Sequence, residues 1–341
     1  MSFDLSRARA LFLVWSPPTH GSSRSREFSK ALSINELHFV YLPLQPGPLT
    51  APFRYLYQAL QTLRLLSKKR PKIVFVQSPP SFAVLFVFLY CIFTRSHYLV
   101  DAHSGAFDIP IWSYPTWFAR ILARQALATI VASERHQEVV SSWGGKTIVM
   151  KDPVTTYPRE EYPLNGSFNL TVVNTFSSDE PLEEVLKTAA DLSDVHFYVT
   201  GKKNAADERV LAQPPSNVTF TDYLSTEQYY GLLNSSDAVM CLTTCDHTLQ
   251  CGACEALSLN RPIITSNWPM LREYFYMGTV HVANSSEGIR QGIVEMQMNY
   301  DFYLSGIQKL HEIHKQSWET QAGRLVGLIN QVASQVTEEK V

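Results

Sequence analysis

The strongest chemical signal in the sequence is a run of polar and small residues from Leu242 to Leu257. A strand is predicted to end at Leu242, a polar loop follows, and the small residues Gly252 and Ala253 open a helix. The N–H groups at a helix N-terminus and the positive end of the helix dipole together hold anions such as a diphosphate. We therefore predict a diphosphate site here, in which Gly252 and Ala253 let the phosphates approach closely.

Glu255 lies in the first turn of that predicted helix. A carboxylate in this position can accept two hydrogen bonds from ribose hydroxyls. An acidic residue in a first turn also stabilises its own helix through the dipole, so the residue type alone leaves both roles open. Thr248 and Gln250, in the preceding loop, are assigned to the same predicted donor site.

A second pair of reactive side chains, Asp101 and His103, follows a predicted strand in the first half of the chain. An imidazole needs little tuning to act as a general base near neutral pH. A single loop histidine is more often structural, but the Asp-x-His spacing at a strand end favours a catalytic role. We predict Asp101 and His103 as catalytic residues.

Strands and helices alternate along the chain around these residues. The predicted strands cover residues 10–15, 37–42, 73–77, 98–102, 128–132 and 147–150, and then 170–174, 195–200, 218–220, 238–242 and 262–265. A stretch rich in proline and charge, residues 151–166, is predicted as a linker between the two series. The alternation predicts two parallel, doubly wound sheets, with ligands at the carboxyl ends of the strands and in a cleft between the domains.

Composition narrows the possible functions. The 341 residues are 45% apolar and 18% charged, enough to bury two sizeable cores, and the net charge of −2 argues against a dedicated nucleic-acid binder. Neither half contains G-x-G-x-x-G, which disfavours a nicotinamide dehydrogenase. No signal peptide is expected, and the strongest apolar run, residues 82–93, is shorter than the roughly 20 residues that a bilayer requires.

Four of the five cysteines, Cys241, Cys245, Cys251 and Cys254, fall within one short stretch. Paired cysteines can bind zinc, but structural zinc sites normally leave a longer loop between the two ligand pairs. We favour buried thiols in a reducing cytosol and predict no metal site.

The stretch around Glu255 resembles the donor-binding segment of GT-B glycosyltransferases, especially the family-4-like group, in which two glutamates stand eight apart in a pattern like E-G-F-G-x-x-x-x-E-A. Glu255 and Ala256 match the end of that pattern. Four further segments are similar to motifs of the family, namely Tyr198–Lys202 (x-V-x-G), Val218–Ser225 (V-x-F-x-G-x-L), Asn260–Thr265 (G-x-P-V-I) and Ser317–Glu319 (a Trp-Glu helix start). The similarity covers most of the second half of the chain.

One departure concerns the first glutamate, because His247 stands in its place with Asp246 beside it. In the family that glutamate orients the donor sugar. An imidazole can form a hydrogen bond with a sugar hydroxyl, but it is not a fixed carboxylate. We therefore predict His247 as a catalytic residue of an atypical branch of the family. Asp246 is kept as a candidate substitute for the missing glutamate.

The resemblance also implies cations for the donor diphosphate and a contact for the nucleotide base. Lys202 or Lys203 follows a strand end in the second half, and Arg24 or Arg26 follows the first strand. Tyr223 lies in the segment that the family places near the base. A nucleotide-diphosphate sugar would be a substrate, and no cofactor or metal is expected.

The resemblance implies an α/β GT-B fold of two Rossmann-like domains. Residues 1–155 would bind the acceptor, residues 156–316 would bind the nucleotide sugar, and residues 317–341 would form a helix that crosses back to the first domain. The implied activity is that of a hexosyltransferase-type glycosyltransferase acting on a glycan or a lipid-linked acceptor, in cell-surface polysaccharide or glycolipid synthesis in the cytoplasm. A GT-B nucleotide-sugar epimerase and a non-catalytic sugar-nucleotide-binding subunit remain as alternatives.

A possible membrane contact follows from two segments. Residues 53–69 have apolar positions at helical spacing and a basic end, and the apolar run 82–93 follows closely. Together they predict a surface that rests on anionic lipid at the inner face of the membrane. The alternative is that both helices pack into the core and only their charged ends meet solvent.

Overall fold

The computed structural model describes residue 5 and residues 8–18, 23–45, 47–109, 115–207, 211–246 and 248–338. The chain forms two compact units. Unit 1 comprises residues 1–153 and 315–341, and unit 2 comprises residues 154–314. The boundaries expected from the sequence, after residues 155 and 316, each lie two residues later.

Unit 1 is built on six parallel strands in the order β2-β1-β3-β4-β5-β6. The strands are β1 (Ala10–Val14), β2 (Glu36–Phe39), β3 (Ile73–Ser78), β4 (His97–Ala102), β5 (Ala128–Val131) and β6 (Thr147–Val149). The described helices among them are α1 (Ser23–Ala31), α2 (Ala51–Lys69), α3 (Ser81–Thr94), the single turn α4 (Gly105–Asp108), α5 (Thr116–Gln125) and α6 (Glu134–Ser142). Every residue of β1 and β3 is buried, as expected of parallel strands covered by helices on both faces.

Unit 2 repeats this architecture with the order β12-β11-β10-β7-β8-β9. Its strands are β7 (Phe168–Val172), β8 (Val195–Thr200), β9 (Val218–Asp222), β10 (Ala238–Cys241), β11 (Ile263–Ser266) and β12 (Thr279–Val282). Its described helices are α7 (Leu182–Asp191), a 3₁₀ turn (Lys203–Ala205), α8 (Thr226–Ser235), α9 (Cys251–Ser258), α10 (Pro269–Tyr274) and α11 (Ser286–Met298). The last helix, α12 (Tyr300–Glu338), has residues 300–314 in unit 2 and the rest in unit 1.

The fold prediction of two doubly wound parallel sheets is confirmed. In each sheet the strand order reverses beside the first strand of the unit, between β1 and β3 in unit 1 and between β7 and β10 in unit 2. Ligands of such sheets bind outside the carboxyl ends of the strands at this reversal point. Asp101 is the penultimate residue of β4, one strand away from the reversal point of unit 1, and the stretch 242–257 follows β10 directly.

Two segments differ from the sequence-based expectation. Residues 151–166 were predicted as a linker, but from residue 154 onward they belong to unit 2. The Thr155 N–H donates to Ser258 Oγ at 3.3 Å, and the Tyr157 ring stacks on Tyr230 with centroids 4.0 Å apart. The apolar run in α3 is only partly buried, because Val84, Val87 and Tyr90 face the core whereas Phe82, Ile92 and Phe93 are exposed. None of the described helices combines the length and the hydropathy that crossing a membrane requires.

Candidate active site

The reversal point of unit 2 is bordered by two loops that are bonded to each other. The Thr244 N–H donates to the Asp179 carbonyl at 2.7 Å, and the Thr243 hydroxyl donates to Asp179 Oδ2 at 2.8 Å. Hydrogen bonds from the hydroxyls of Ser177 and then Thr243 lower the pKa of Asp179 below its ordinary value. The loops after β7 and β10 therefore form one connected rim.

Gln250 is the N-cap residue of α9, and no side chain caps the helix there. Its amide nitrogen donates to the Leu242 carbonyl at 2.8 Å, and its amide oxygen accepts a bond of 3.3 Å from the Thr265 hydroxyl. The side chain of this predicted donor-site residue thus ties the loop to the strands, and ligand contacts at this end fall to the backbone N–H groups. Thr248 is exposed beside it, and His247 lies outside the described residues.

Gly252 and Ala253 face the sheet. A Cβ atom on Gly252 would lie 2.7 Å from Val173 Cγ1 and 2.9 Å from Cys241 Sγ, and Ala253 is completely buried. The small size of these residues is therefore explained by close packing of α9 on its sheet. The close approach of phosphates to Gly252 and Ala253 stays a prediction.

Two tyrosines of α8 hold the Glu255 carboxylate. The Tyr229 hydroxyl donates to Oε2 at 2.6 Å, and the Tyr230 hydroxyl donates to Oε1 at 3.4 Å. Burial, reinforced by the nearby Glu255 charge, raises the pKa of Tyr229 well above its ordinary value, so Tyr229 remains a hydrogen-bond donor. Sequence reasoning missed both tyrosines, because nothing in their spacing points to a residue 25 or 26 positions away.

The loops after β8 and β9 bring Lys202 and Tyr223 together, with the Lys202 ammonium 5.0 Å from the centre of the Tyr223 ring. Asp222 has a φ of 60°, a conformation that favours glycine, and it stands where the resembled motif has its glycine. Its carboxylate accepts a hydrogen bond of 3.1 Å from the Lys203 N–H, which stabilises this turn. Two of the predicted donor contacts therefore lie side by side at one end of the sheet.

In unit 1 Asp101 is 0% exposed and links two basic side chains. Its Oδ1 lies 3.1 Å from Arg24 Nε, and its Oδ2 lies 3.2 Å from His103 Nε2. Burial alone raises the pKa of Asp101, but Arg24 and then His103 outweigh burial and lower the pKa to about 2. Asp101 is thus ionised near neutral pH and able to orient the imidazole, as carboxylates do for histidine bases.

Arg24 is held inside unit 1. Besides Asp101 it contacts the Asp152 carboxylate and donates to the Met150 carbonyl at 2.9 Å, and its guanidinium lies 4.3 Å above the Phe28 ring. These contacts give Arg24 a positioning role for Asp101, whereas the sequence had suggested a contact with the donor phosphates. Arg26, the other candidate, is exposed over the Phe39 ring.

No cluster of three or more His, Cys, Asp or Glu side chains in the described parts of the chain is arranged to hold a metal ion. The cysteines of the 241–254 stretch are free thiols, of which Cys241 is buried and Cys245 and Cys251 are exposed.

No protein-family model matches the sequence, and no curated protein matches it in sequence. Solved structures do match. A glycosyltransferase from Rickettsia africae ESF-5 is 15% identical with a TM-score of 0.66, over 95% of this chain and 98% of that chain. A putative UDP-N-acetylglucosamine 2-epimerase from Listeria monocytogenes is 11% identical with a TM-score of 0.63, over 96% of this chain and 97% of that chain.

A third match, HepE from Anabaena in complex with UDP-glucose, is 12% identical with a TM-score of 0.59, over 96% of this chain and 99% of that chain. At these identities the similarity establishes the fold. The chain has the GT-B fold of glycosyltransferases, as the resemblance of its donor segment implied.

Proposed function

We propose that the protein is a glycosyltransferase that moves a sugar from a nucleoside-diphosphate donor to an acceptor hydroxyl. The observation that carries the proposal is the Glu255 carboxylate, fixed by Tyr229 and Tyr230 in the first two turns of α9 at the reversal point of unit 2. Glu255 is the fifth residue of α9 and therefore lies one turn beyond the N-terminus, whereas the sequence had placed it in the first turn. A carboxylate one turn from a helix N-terminus suits a ribose whose diphosphate is held at that N-terminus. The match to a UDP-glucose complex supports the same donor class.

In this proposal the diphosphate, the ribose and the base of the donor each have a partner in unit 2. The backbone N–H groups that open α9 hold the diphosphate, Glu255 accepts from the ribose hydroxyls, and the exposed Tyr223 ring supports the base. Lys202 supplies a positive charge beside the diphosphate. Helix dipole and ammonium together balance the charge of the leaving group, so we expect turnover without an added divalent cation.

The transfer step uses His103 of unit 1. As the bond between the sugar anomeric carbon and the acceptor oxygen forms, the acceptor O–H bond breaks and its proton passes to His103. The bond from the anomeric carbon to the diphosphate oxygen breaks, and the nucleoside diphosphate leaves with the electron pair. Asp101 orients the imidazole and stabilises its positive charge once the proton has arrived.

Nucleotide binding should depend on Glu255. We expect Glu255→Gln to weaken binding of the preferred nucleoside diphosphate about 10- to 100-fold, because bonds from two ribose hydroxyls to a charged carboxylate are lost. Isothermal titration with UDP, GDP and ADP measures this. Glu287→Gln, an exposed glutamate on α11 paired with Arg290, is the matched control and should bind like the wild type.

The proposal fails if none of the three nucleotides binds, or if Glu255→Gln binds like the wild type. An epimerase, which one structural match favours, would convert the nucleotide sugar without any acceptor, and product analysis in the absence of acceptor identifies that outcome. A non-catalytic subunit would bind nucleotide and show no turnover with any acceptor.

The acceptor class that we propose is a glycan or lipid-linked acceptor of cell-surface polysaccharide or glycolipid synthesis, used by the enzyme at the cytoplasmic face of a membrane. An exposed apolar surface of unit 1 supports this. The surface is made by Leu49, Phe53, Leu56, Leu60, Phe82, Trp117 and Ile121. It is continuous across α2, α3 and α5, because the ring centroids of Tyr55 and Phe82 lie 5.3 Å apart and those of Phe82 and Phe118 lie 6.2 Å apart. Lys68, Lys69 and Arg70 at the end of α2 add charge that attracts anionic lipid.

Membrane association should depend on this surface. Replacing Phe53 and Leu56 together by serine is expected to weaken binding to phosphatidylglycerol vesicles by at least about 10-fold, because two large apolar side chains no longer insert. Vesicle flotation measures the bound fraction. Phe302→Ser changes a residue of similar exposure in unit 2, 72% against 69% for Phe53, and should leave flotation unchanged. Equal loss in both variants, or no flotation of the wild type, would refute the membrane contact.

A further inference from the structure

Unit 1 contains a cavity at the edge of its sheet where three strands begin. Arg9 directly precedes β1, Lys72 directly precedes β3, and Ser96 directly precedes β4. All three residues line the cavity, which has a volume of about 480 Å³ and is partly open to solvent. Arg70 lines it as well, and the described lining residues include no carboxylate. We call it the Lys72 cavity.

The three cations of the cavity have no counter-charge. Within the described parts of the chain, no carboxylate forms an ion pair with Arg9, Arg70 or Lys72. Lys69, beside them on α2, is instead paired with Glu36 at 2.8 Å. Arg9 Nη2 donates to the Arg70 carbonyl at 2.9 Å, which holds the Arg9 guanidinium at the cavity. A cleft lined by one sign of charge attracts ions of the opposite sign.

The net charge of the cavity matches a doubly charged anion. The helices α2 and α3 both end beside it, and each helix C-terminus carries about half a negative charge. Against three cations, these two helix ends leave about two positive charges uncompensated. A phosphate monoester carries roughly −1.5 to −2 near pH 7, whereas a single carboxylate carries only one negative charge. Arginine also matches phosphate geometry, because it can donate two parallel N–H bonds.

Stabilisation of the helix end alone does not explain Arg70. Lys68 and Lys69 already supply positive charge to the last turn of α2. Arg70 follows them with a φ of 48°, a conformation in which glycine is the usual residue after a helix. A residue with a side chain is unfavourable there, and such backbone strain is found most often at ligand-binding positions. The arginine side chain therefore points to a ligand.

The buried wall of the cavity suits the hydroxyl groups of a ligand. The Tyr90 hydroxyl donates to the Pro71 carbonyl at 3.3 Å, and the Ser96 hydroxyl donates to the same carbonyl at 3.0 Å. Each hydroxyl has thus used its proton, and its oxygen can still accept a hydrogen bond. The volume of the cavity lies within the range of about 300–1,000 Å³ that is typical of small-molecule sites. It therefore has room for a polar body attached to the phosphate.

We infer that the Lys72 cavity binds a phosphate monoester of a polyol or sugar. Arg9, Arg70 and Lys72 hold the phosphate, and the oxygens of Tyr90 and Ser96 accept hydrogen bonds from the hydroxyls of the ligand body.

This site is separate from the transfer site. The six residues of β3 run from the cavity to Ser78, whose carbonyl accepts the His103 N–H at 2.8 Å. At about 3.3 Å per residue, the strand puts roughly 20 Å between the bound phosphate and the candidate base. The ligand is therefore neither donor nor acceptor, and the inference does not depend on the proposed function.

Glycerol 3-phosphate and glycerol form a matched pair of probes, since they differ by the phosphate. In calorimetric titrations of the full chain, we expect saturable binding of glycerol 3-phosphate and none of glycerol. Arg70→Gly should weaken binding at least about 10-fold, because charge-assisted hydrogen bonds to the phosphate are lost. It should not lower the melting temperature, because glycine is the residue that this backbone conformation favours.

Arg95→Gly is the matched control. Arg95 follows α3 with a φ of 52°, so the same residue type is replaced in the same conformation, but Arg95 is not among the residues that line the cavity. We expect it to change the affinity less than about 3-fold at physiological salt, because solvent screens an exposed cation outside the site. Lys202→Gln, in the candidate donor site, should bind glycerol 3-phosphate like the wild type.

The same phosphate monoester occurs in soluble polyol phosphates and in the headgroup of phosphatidic acid. Flotation with phosphatidic acid vesicles and with phosphatidylglycerol vesicles of equal anionic content distinguishes the two sources. If the lipid is the ligand, the wild type floats better with phosphatidic acid and Arg70→Gly removes the difference. If the ligand is soluble, glycerol 3-phosphate binds and the two kinds of vesicle behave alike.

The inference is overturned if glycerol 3-phosphate shows no saturable binding, or if Arg70→Gly and Arg95→Gly weaken it equally, which would indicate only general attraction to a basic surface. Loss of binding in Lys202→Gln but not in Arg70→Gly would also overturn it, because the phosphate would then occupy the donor site. None of these results bears on the Glu255 experiment, which measures nucleotide binding in unit 2.

Discussion

Replacing His103 by alanine should lower kcat by a factor of about 10²–10⁴ and leave nucleotide affinity unchanged. His103 supplies the base for the acceptor hydroxyl in the proposed step, and the buried Asp101 carboxylate 3.2 Å from its Nε2 fixes the ring. Donor contacts in unit 2 do not involve it. The measurement combines steady-state kinetics with the identified donor and acceptor, and nucleotide titration by calorimetry.

His97 provides a control on the same strand, since it begins β4 whereas Asp101 lies near its end. His97→Ala should keep kcat within about twofold, because His97 lies at the opposite end of the strand from the candidate base. Added imidazole should restore part of the activity of His103→Ala by replacing the missing base. A His103→Ala enzyme with the kcat of the wild type would remove His103 from the mechanism.

The second large effect concerns the stability of unit 1. We expect Arg24→Gln to lower its free energy of unfolding by about 3–5 kcal/mol, because two carboxylates, of which Asp101 is fully buried, lose the guanidinium between them. Hydrogen exchange of the β1 and β4 amides and urea denaturation measure the loss. Arg290→Gln breaks an exposed pair with Glu287 in unit 2 and should leave the free energy of unfolding nearly unchanged, because solvent screens exposed ion pairs.

The same ion pair makes stability depend on pH. The pKa of Asp101 is about 2 in the folded protein, against about 3.9 for an unfolded aspartate, so the unfolded chain binds more protons as the pH falls. The stabilising contribution, roughly 2–3 kcal/mol, is complete above about pH 5 and is lost as the pH falls to about 2. In Arg24→Gln the contribution should shrink, because Arg24 is the foremost of the groups that lower the pKa of Asp101 against burial. An unchanged acid dependence in the variant would show that Arg24 does not set the ionisation of Asp101.

The sequence allowed the fold to be predicted because buried parallel strands are continuous apolar runs separated by helical periodicity. It missed β12 (Thr279–Val282) and α10 (Pro269–Tyr274), which are too short to show a period. Gly278, just before β12, has a φ of 65°, and a Cβ there would lie 2.2 Å from the backbone nitrogen of Ile307. The packing of α12 decides this turn, and no local pattern records it.

In the candidate site, too, some features were predicted from the sequence and others were seen only in the structure. Asp101, His103 and Lys202 were predicted as site residues from their positions at strand ends, because parallel sheets present such residues at one edge. Glu255, on α9, was predicted from the resemblance of its segment to a donor-binding motif. The sequence did not predict that Gly252 packs on the sheet or that Arg24 pairs with two carboxylates, since a small residue in a helix and an arginine after a strand each have several possible partners. The partners are seen only in the structure, where Gly252 packs against Val173 and Arg24 contacts Asp152.

The sequence by itself determined the alternation of elements and the chemical types available at the strand ends, because both depend on neighbouring residues. The tertiary structure decided which of those residues act together. Tyr229 meets Glu255 across 26 positions, and Arg24 meets Asp101 across 77 and Asp152 across 128. Hydrogen bonds and ion pairs between residues so far apart in sequence depend on the order of the strands in the sheet. That order cannot be inferred from the spacing of residues along the chain.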